Sequence, residues 1–191
     1  MSVDIAQLTV VVTIVWVILG FFCGSLAWSH WIEGRDGASR PVKGVSYLLD
    51  ALMGALPVIF AKYVLILSGV PLVIVALSPI FGHAFSPWLR FKGDNALAVA
   101  AGVYVTLTVW QVMIFGVILL IVWMAVVKRP GWAATLMGVC LIIVLLILDR
   151  DPVLLAMLTV NLLVIAWASR GDLVHAPGLR GWIGNRLPAG R

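Results

Sequence analysis

Apolar residues run along the chain in long blocks, at roughly 7–29, 45–61, 65–82, 96–127, 131–148 and 152–168, each bounded by charges, Pro or Gly. Blocks of this length read as membrane-spanning helices. The fourth is too long for one upright span. At 1.5 Å per residue it would make a helix of about 48 Å, against a hydrocarbon core of about 30 Å. It is therefore one strongly tilted helix or two shorter ones.

Charge placement separates these choices, because Lys and Arg in short loops collect on the cytoplasmic side. With six spans the basic residues divide almost evenly between the two faces. If the 96–127 run turns near Thr106 to Trp110, every Lys and Arg except Lys62 and Arg150 falls on one side. The pattern thus predicts an all-α integral membrane protein with seven transmembrane helices, the N-terminus outside and the C-terminus cytoplasmic. Residues 1–191 form one polytopic membrane domain. Its cytoplasmic parts are the 30–44 and 83–95 loops, Lys128–Arg129 and the 170–191 tail. The turn inside 96–127 has neither Pro nor charge, so Thr106, Thr108 and Gln111 must help satisfy its freed backbone groups.

Composition agrees with this picture. Hydrophobic residues make up 63% of the 191 residues, and the mean hydropathy is +1.13, too apolar for a soluble globule of this size. A formal net charge of +5 comes without a basic block or aromatic–basic interleaving. It therefore points to anionic lipid headgroups and not to nucleic acid. Cys23 and Cys140 sit inside apolar blocks without metal or redox spacing and read as packing residues. No metal or cofactor is expected. The N-terminal block lacks a basic n-region and reads as a retained first span.

A few polar residues inside the spans stand out. Asp50 lies about six residues into the second block, with Lys43 one heptad before it. A carboxylate there is either functional or paired, with Lys43 or with a facing helix. Lys62, at the other end of that block, is expected to snorkel to the interface. "GFFCG", Gly20 to Gly24, reads as a close helix–helix contact, and Asn161 as an interhelical hydrogen bonder. "RGD", Arg170 to Asp172, reads as a chance tripeptide.

The densest polar stretch is "FGHAFSPWLRFKGDNALAVAAG", Phe81 to Gly102. Together with "LLDALMGALPV" (Leu48 to Val58), "LGFFCGS" (Leu19 to Ser25) and "EGRDGAS" (Glu33 to Ser39), it resembles the bacterial acyl-phosphate:glycerol-3-phosphate acyltransferases. These are seven-span enzymes of the bacterial inner membrane. The resemblance implies transfer of an acyl group from acyl phosphate to glycerol 3-phosphate, without a dedicated protein nucleophile. Backbone amides and cations would then position two anions and an oxyanion. Carried over residue by residue, the phosphate-binding set implied is Gly37, Arg40, Lys43, His83, Lys92, Gly93 and Arg170.

The chain departs from the family pattern at several points. Asp94, Asn95 and Ala96 replace Gly-Lys-Gly. Glu33, Arg35 and Ser39 stand for Ser, Asn and Thr, Arg40 for Asn, and Met53 for Lys. Ser169 to Asp172 replace His-Arg-x-Asn and keep only the arginine. Asp94 or Asn95 as an N-cap would occupy the amides a phosphate needs, plugging the cradle from within. Asp50 joins these two as a structural residue, and no catalytic residue is singled out. These departures favour a non-catalytic structural or accessory subunit of a larger membrane complex, with lipids and other membrane subunits as partners. The alternative is an active acyltransferase using acyl phosphate and glycerol 3-phosphate or a related phosphorylated acceptor.

Overall fold

The computed structural model describes residues 4–33, 40–91, 93, 96–107, 110–148 and 151–180, without the side chains of Glu33, Arg40 and Trp110. Among them the structure is all-helical apart from a single bridge. In chain order the helices are α1 (Ile5–Ser25), α2 (Trp28–Glu33), α3 (Arg40–Ile59), α4 (Gly69–Ala84), α5 (Leu97–Thr106), α6 (Trp110–Val126), α7 (Pro130–Leu148), α8 (Pro152–Ala168) and α9 (Arg170–Leu173). A π-helical turn, Phe60–Val64, continues α3, and a 3₁₀ turn, Pro87–Leu89, follows α4.

Helical stretches Ile5–Ile32, Pro41–Val64, Gly69–Leu89 and Pro130–Leu148 are long and apolar enough to cross a membrane; Leu97–Thr106, Gln111–Val126 and Pro152–Ala168 are shorter apolar helices. Large apolar side chains such as Ile14, Ile18, Ile121 and Leu163 point outward, as a lipid solvent allows. Helix regularity reaches into stretches expected as loops. α2 and the start of α3 flank residues 34–39, and His83 lies within α4. Of the tail, Arg170–Leu173 is helical. Residues after it strap back over the α6–α7 junction, where the Lys128 amide donates to Gly178 O (3.0 Å), the Arg180 amide to Val126 O (3.0 Å) and Trp132 Nε1 to His175 O (2.8 Å).

In lipid, helices associate through close packing more than through hydrophobic drive, so small residues mark the contacts. α1 lies on α4 this way. A Cβ on Gly20 would meet the Ser78 hydroxyl, one on Gly24 the Pro79 carbonyl, and one on Gly82 the Phe21 carbonyl. α3 and α5 pack similarly, with Gly54 against the Val99 carbonyl and Gly102 against that of Ala51.

The uncharged 96–127 run is two helices, α5 and α6, broken after Thr106. Thr106 Oγ1 turns back to Gly102 O at 3.0 Å. Lys62, expected to snorkel, instead donates from Nζ to the Thr106 carbonyl at 3.2 Å and stands 5.1 Å from the Tyr63 ring centroid. The reason is local: the last carbonyls of α5 have no helical partner and carry the negative end of the helix dipole. A cation from the neighbouring π-helical turn satisfies one of them. Thr108 lies outside the described residues.

Candidate functional site

One end of the bundle gathers the C-terminus of α1, all of α2, α3 from Tyr47 to Asp50, the end of α4, and the start of α5. Asp50 is 1% exposed. Its carboxylate does not pair with Lys43, which is exposed. It accepts the Trp28 amide at 2.7 Å and the Ser29 amide at 3.2 Å. Those are the first amides of α2, left without intrahelical acceptors, so a buried charge is matched by two donors and a helix dipole. The effect is to hold α2 at a fixed height across α3.

The end of α1 holds the other wall. Its last carbonyls also lack helical partners and accept from the α4 side instead. His83, 3% exposed, donates from Nδ1 to Gly24 O at 3.2 Å, and Ser86 Oγ donates to Ser25 O at 2.8 Å. Trp88 Nε1 donates to Ser25 Oγ at 3.0 Å. Because a carbonyl can only accept, Nδ1 carries the proton, which leaves Nε2 as the ring nitrogen turned to other partners. Three non-glycine residues of the following loop, Arg90, Phe91 and Ala96, have φ of 53°, 61° and 53°. Such left-handed conformations are costly for these residue types and gather at functional loops.

A cavity of about 490 Å³ opens between these walls, lined on its polar side by Ser29, Tyr47, Asp50 and His83. Ala96, Leu97 and Ala98 form its floor, and Leu120 and Met124 of α6 lie on the apolar side. The floor is the first turn of α5. The N-cap position is Ala96, which has no side-chain cap. The first bond of the helix runs from the Ala100 amide to Ala96 O at 2.9 Å. Among the described residues no group accepts from the Leu97 or Ala98 amide. A helix start of this kind, facing a cavity, is a seat for an anion.

The expected residues divide into groups. His83 and Asp50 line the cavity, and Gly93 packs behind it, where a Cβ would meet the carbonyls of His83 and Ala84. Lys43, Tyr47 and Asp50 recur on one face of α3, which places Lys43 one turn before the cavity-lining Tyr47; the side chain of Arg40 lies outside the described residues. Arg170 is elsewhere. It lines a second recess of about 280 Å³ with Ala84, Phe91 and Gly93, and its guanidinium lies 4.9 Å from the Trp167 ring. Gly37, Lys92, Asp94 and Asn95 lie outside the described residues. Ser86, Trp88, Tyr47 and Ser29 were not anticipated. Ser25, which accepts from two of them, belongs to the "LGFFCGS" motif. Asp172 of the chance tripeptide also has a task, accepting the Gly131 amide at 2.8 Å to cap α7, with Arg129 at 3.9 Å.

Comparison with known proteins gives the family and the fold. The family model for glycerol-3-phosphate acyltransferase matches residues 38–175. The chain belongs to the glycerol-3-phosphate acyltransferase family. A glycerol-3-phosphate acyltransferase of Thermotoga petrophila is 29% identical over 139 residues, covering 61% of this chain and 67% of that protein. One from Desulfovibrio desulfuricans is 30% identical over 131 residues, 58% of each chain. An integral membrane glycerol 3-phosphate acyltransferase solved in its glycerol 3-phosphate form superposes with a TM-score of 0.72 at 17% identity, over 93% of this chain and 100% of that one. The fold is that of an integral membrane protein. None of these relatives supports a non-catalytic accessory role.

Proposed function

We propose that this chain is an active acyltransferase of phospholipid synthesis, moving an acyl group from acyl phosphate to glycerol 3-phosphate or a related phosphorylated acceptor. The observation that carries this reading is the uncapped start of α5 on the floor of the 490 Å³ cavity, opposite His83 and Asp50. In the reaction the acceptor hydroxyl attacks the acyl carbonyl, an ester bond forms, and the carbonyl–phosphate bond breaks. His83 Nε2 takes the hydroxyl proton, and inorganic phosphate departs. The Leu97 and Ala98 amides seat a phosphate or the developing oxyanion. Arg40, Lys43, Lys92 and Arg170 draw the two anions to this end of the bundle. Asp50 acts at one remove, fixing α2 as the cavity wall.

The same reading places seven spans in a bacterial-type inner membrane, N-terminus outside, with the cavity facing the cytoplasm. Purified protein in lipid nanodiscs, given acyl phosphate and glycerol 3-phosphate, is expected to form lysophosphatidate and release phosphate. His83→Ala should lower turnover by about a hundredfold, the size of a lost general base. A folded wild type that forms no product, and that co-purifies reproducibly with other membrane subunits, would restore the accessory-subunit reading.

A further inference from the structure

Beyond the polar cavity lies a second, partly open space of about 90 Å³ among α5, α6, α7 and α8. Leu97 and Leu120 line both spaces and form the partition between them. The inner space is apolar, walled by residues such as Ala100, Gly116, Met137 and Leu158. Two polar side chains break that wall: Tyr104, 5% exposed, and Asn161, 6% exposed. They face each other in a loose side-chain hydrogen-bond contact, in which neither the Tyr104 hydroxyl nor Asn161 Oδ1 finds a partner at standard geometry. In the middle of a bundle in lipid, such atoms have no water to turn to and cost about 1–3 kcal/mol each when left alone. A purely structural polar pair would be expected to tighten that contact to standard geometry.

We infer that the Tyr104–Asn161 space is a subsite for an acyl chain carrying a mid-chain hydroxyl. One hydroxyl is both donor and acceptor, so it can accept from Tyr104 and donate to Asn161 Oδ1. The surrounding apolar wall suits the methylenes on either side of it. Ninety cubic ångströms corresponds to about three groups of water size at ~30 Å³ each, a short length of chain and not a whole one. From Leu97 to Tyr104 is roughly 10 Å along the axis of α5 at 1.5 Å per residue. A chain whose head sits at the start of α5 would thus present its middle, not its end, to the pair. Leucine side chains in the partition can move aside by rotamer change. The inference rests on the acyltransferase reading for how the chain arrives, but the subsite itself is testable alone.

The test is binding of mid-chain hydroxystearate and of stearate to the wild type in lipid nanodiscs, read by thermal shift, with transfer assays on the two corresponding acyl phosphates in parallel. Expected is a preference for the hydroxylated chain of about fivefold or more, the size of one neutral hydrogen bond. Tyr104→Phe and Asn161→Leu should each abolish that preference. Both should also raise the melting temperature of the ligand-free protein, because each removes an unpartnered buried atom. Equal binding of the two chains by the wild type, with water alone bridging Tyr104 and Asn161, overturns the inference whatever the transfer assay gives. A binding preference without transfer of either chain keeps the subsite and overturns the acyltransferase reading instead.

Discussion

At the scale of single residues, the site depends on contacts between groups distant in sequence, and glycine 93 is the clearest case. With the His83 and Ala84 carbonyls against it, Gly93→Ala forces backbone apart at the cavity wall. It should cost about 1–3 kcal/mol of stability, as overpacking does, and lower turnover by about tenfold or more through displacement of His83. Thermal unfolding together with the transfer assay checks this; wild-type behaviour in both would remove the contact. His83, Asp50 and Gly93 were legible in the sequence because they carry motif identity. Their partners were not. Gly24 O, Ser25 O and the Trp28 amide are backbone groups whose availability follows from where helices end, and a sequence shows helix ends only to within a few residues. The expected cap at Asp94 or Asn95 lies outside the described residues; among those described, Ala96 takes the left-handed conformation and α5 starts after it.

At the scale of elements, the division of the 96–127 run was readable from charges outside the run, since a single helix would have scattered Lys and Arg over both faces. How the break is held was not readable. Lys62 comes from the π-helical turn Phe60–Val64, far away in sequence, and meets the last carbonyl of α5. Lys62→Met should destabilise the bundle by about 0.5–1.5 kcal/mol, the range for interhelical hydrogen bonds in membranes, with turnover little changed because the contact is remote from the cavity. Reversible denaturant unfolding in detergent measures the first, and a loss of turnover exceeding the loss of stability would argue against that separation. The glycine contacts of α1 with α4 were anticipated at Gly20 and Gly24. Their counterparts at Gly54 and Gly102 were not, because these glycines are not paired in one short motif.

At the scale of the whole molecule, the proposed chemistry lies at the end of the bundle where Asp50 and His83 line the cavity, and so on one membrane face. On the proposed orientation, drawn from the positive-inside pattern, that face is the cytoplasmic one. A cysteine introduced at Thr108 in a chain with Cys23 and Cys140 replaced by Ala should react with an impermeant thiol reagent from outside the cell; labelling only after the cytoplasmic face is exposed would overturn the seven-span arrangement. Losses in the motifs first suggested a protein that had kept the fold and dropped the reaction. The match to the glycerol-3-phosphate acyltransferase family over residues 38–175 weighs against that reading.

The central claim is that these amides seat a phosphate, and a titration of glycerol 3-phosphate into purified wild type and Ala98→Asp tests it most directly. A carboxylate in the first turn favours the helix dipole and should leave the melting temperature unchanged or slightly raised, while it repels an anion at the cavity floor. Wild-type binding that weakens by about tenfold or more in Ala98→Asp, as one unfavourable charge contact predicts, is the expected result. Equal affinity in the two proteins, or no binding by a folded wild type, would contradict it.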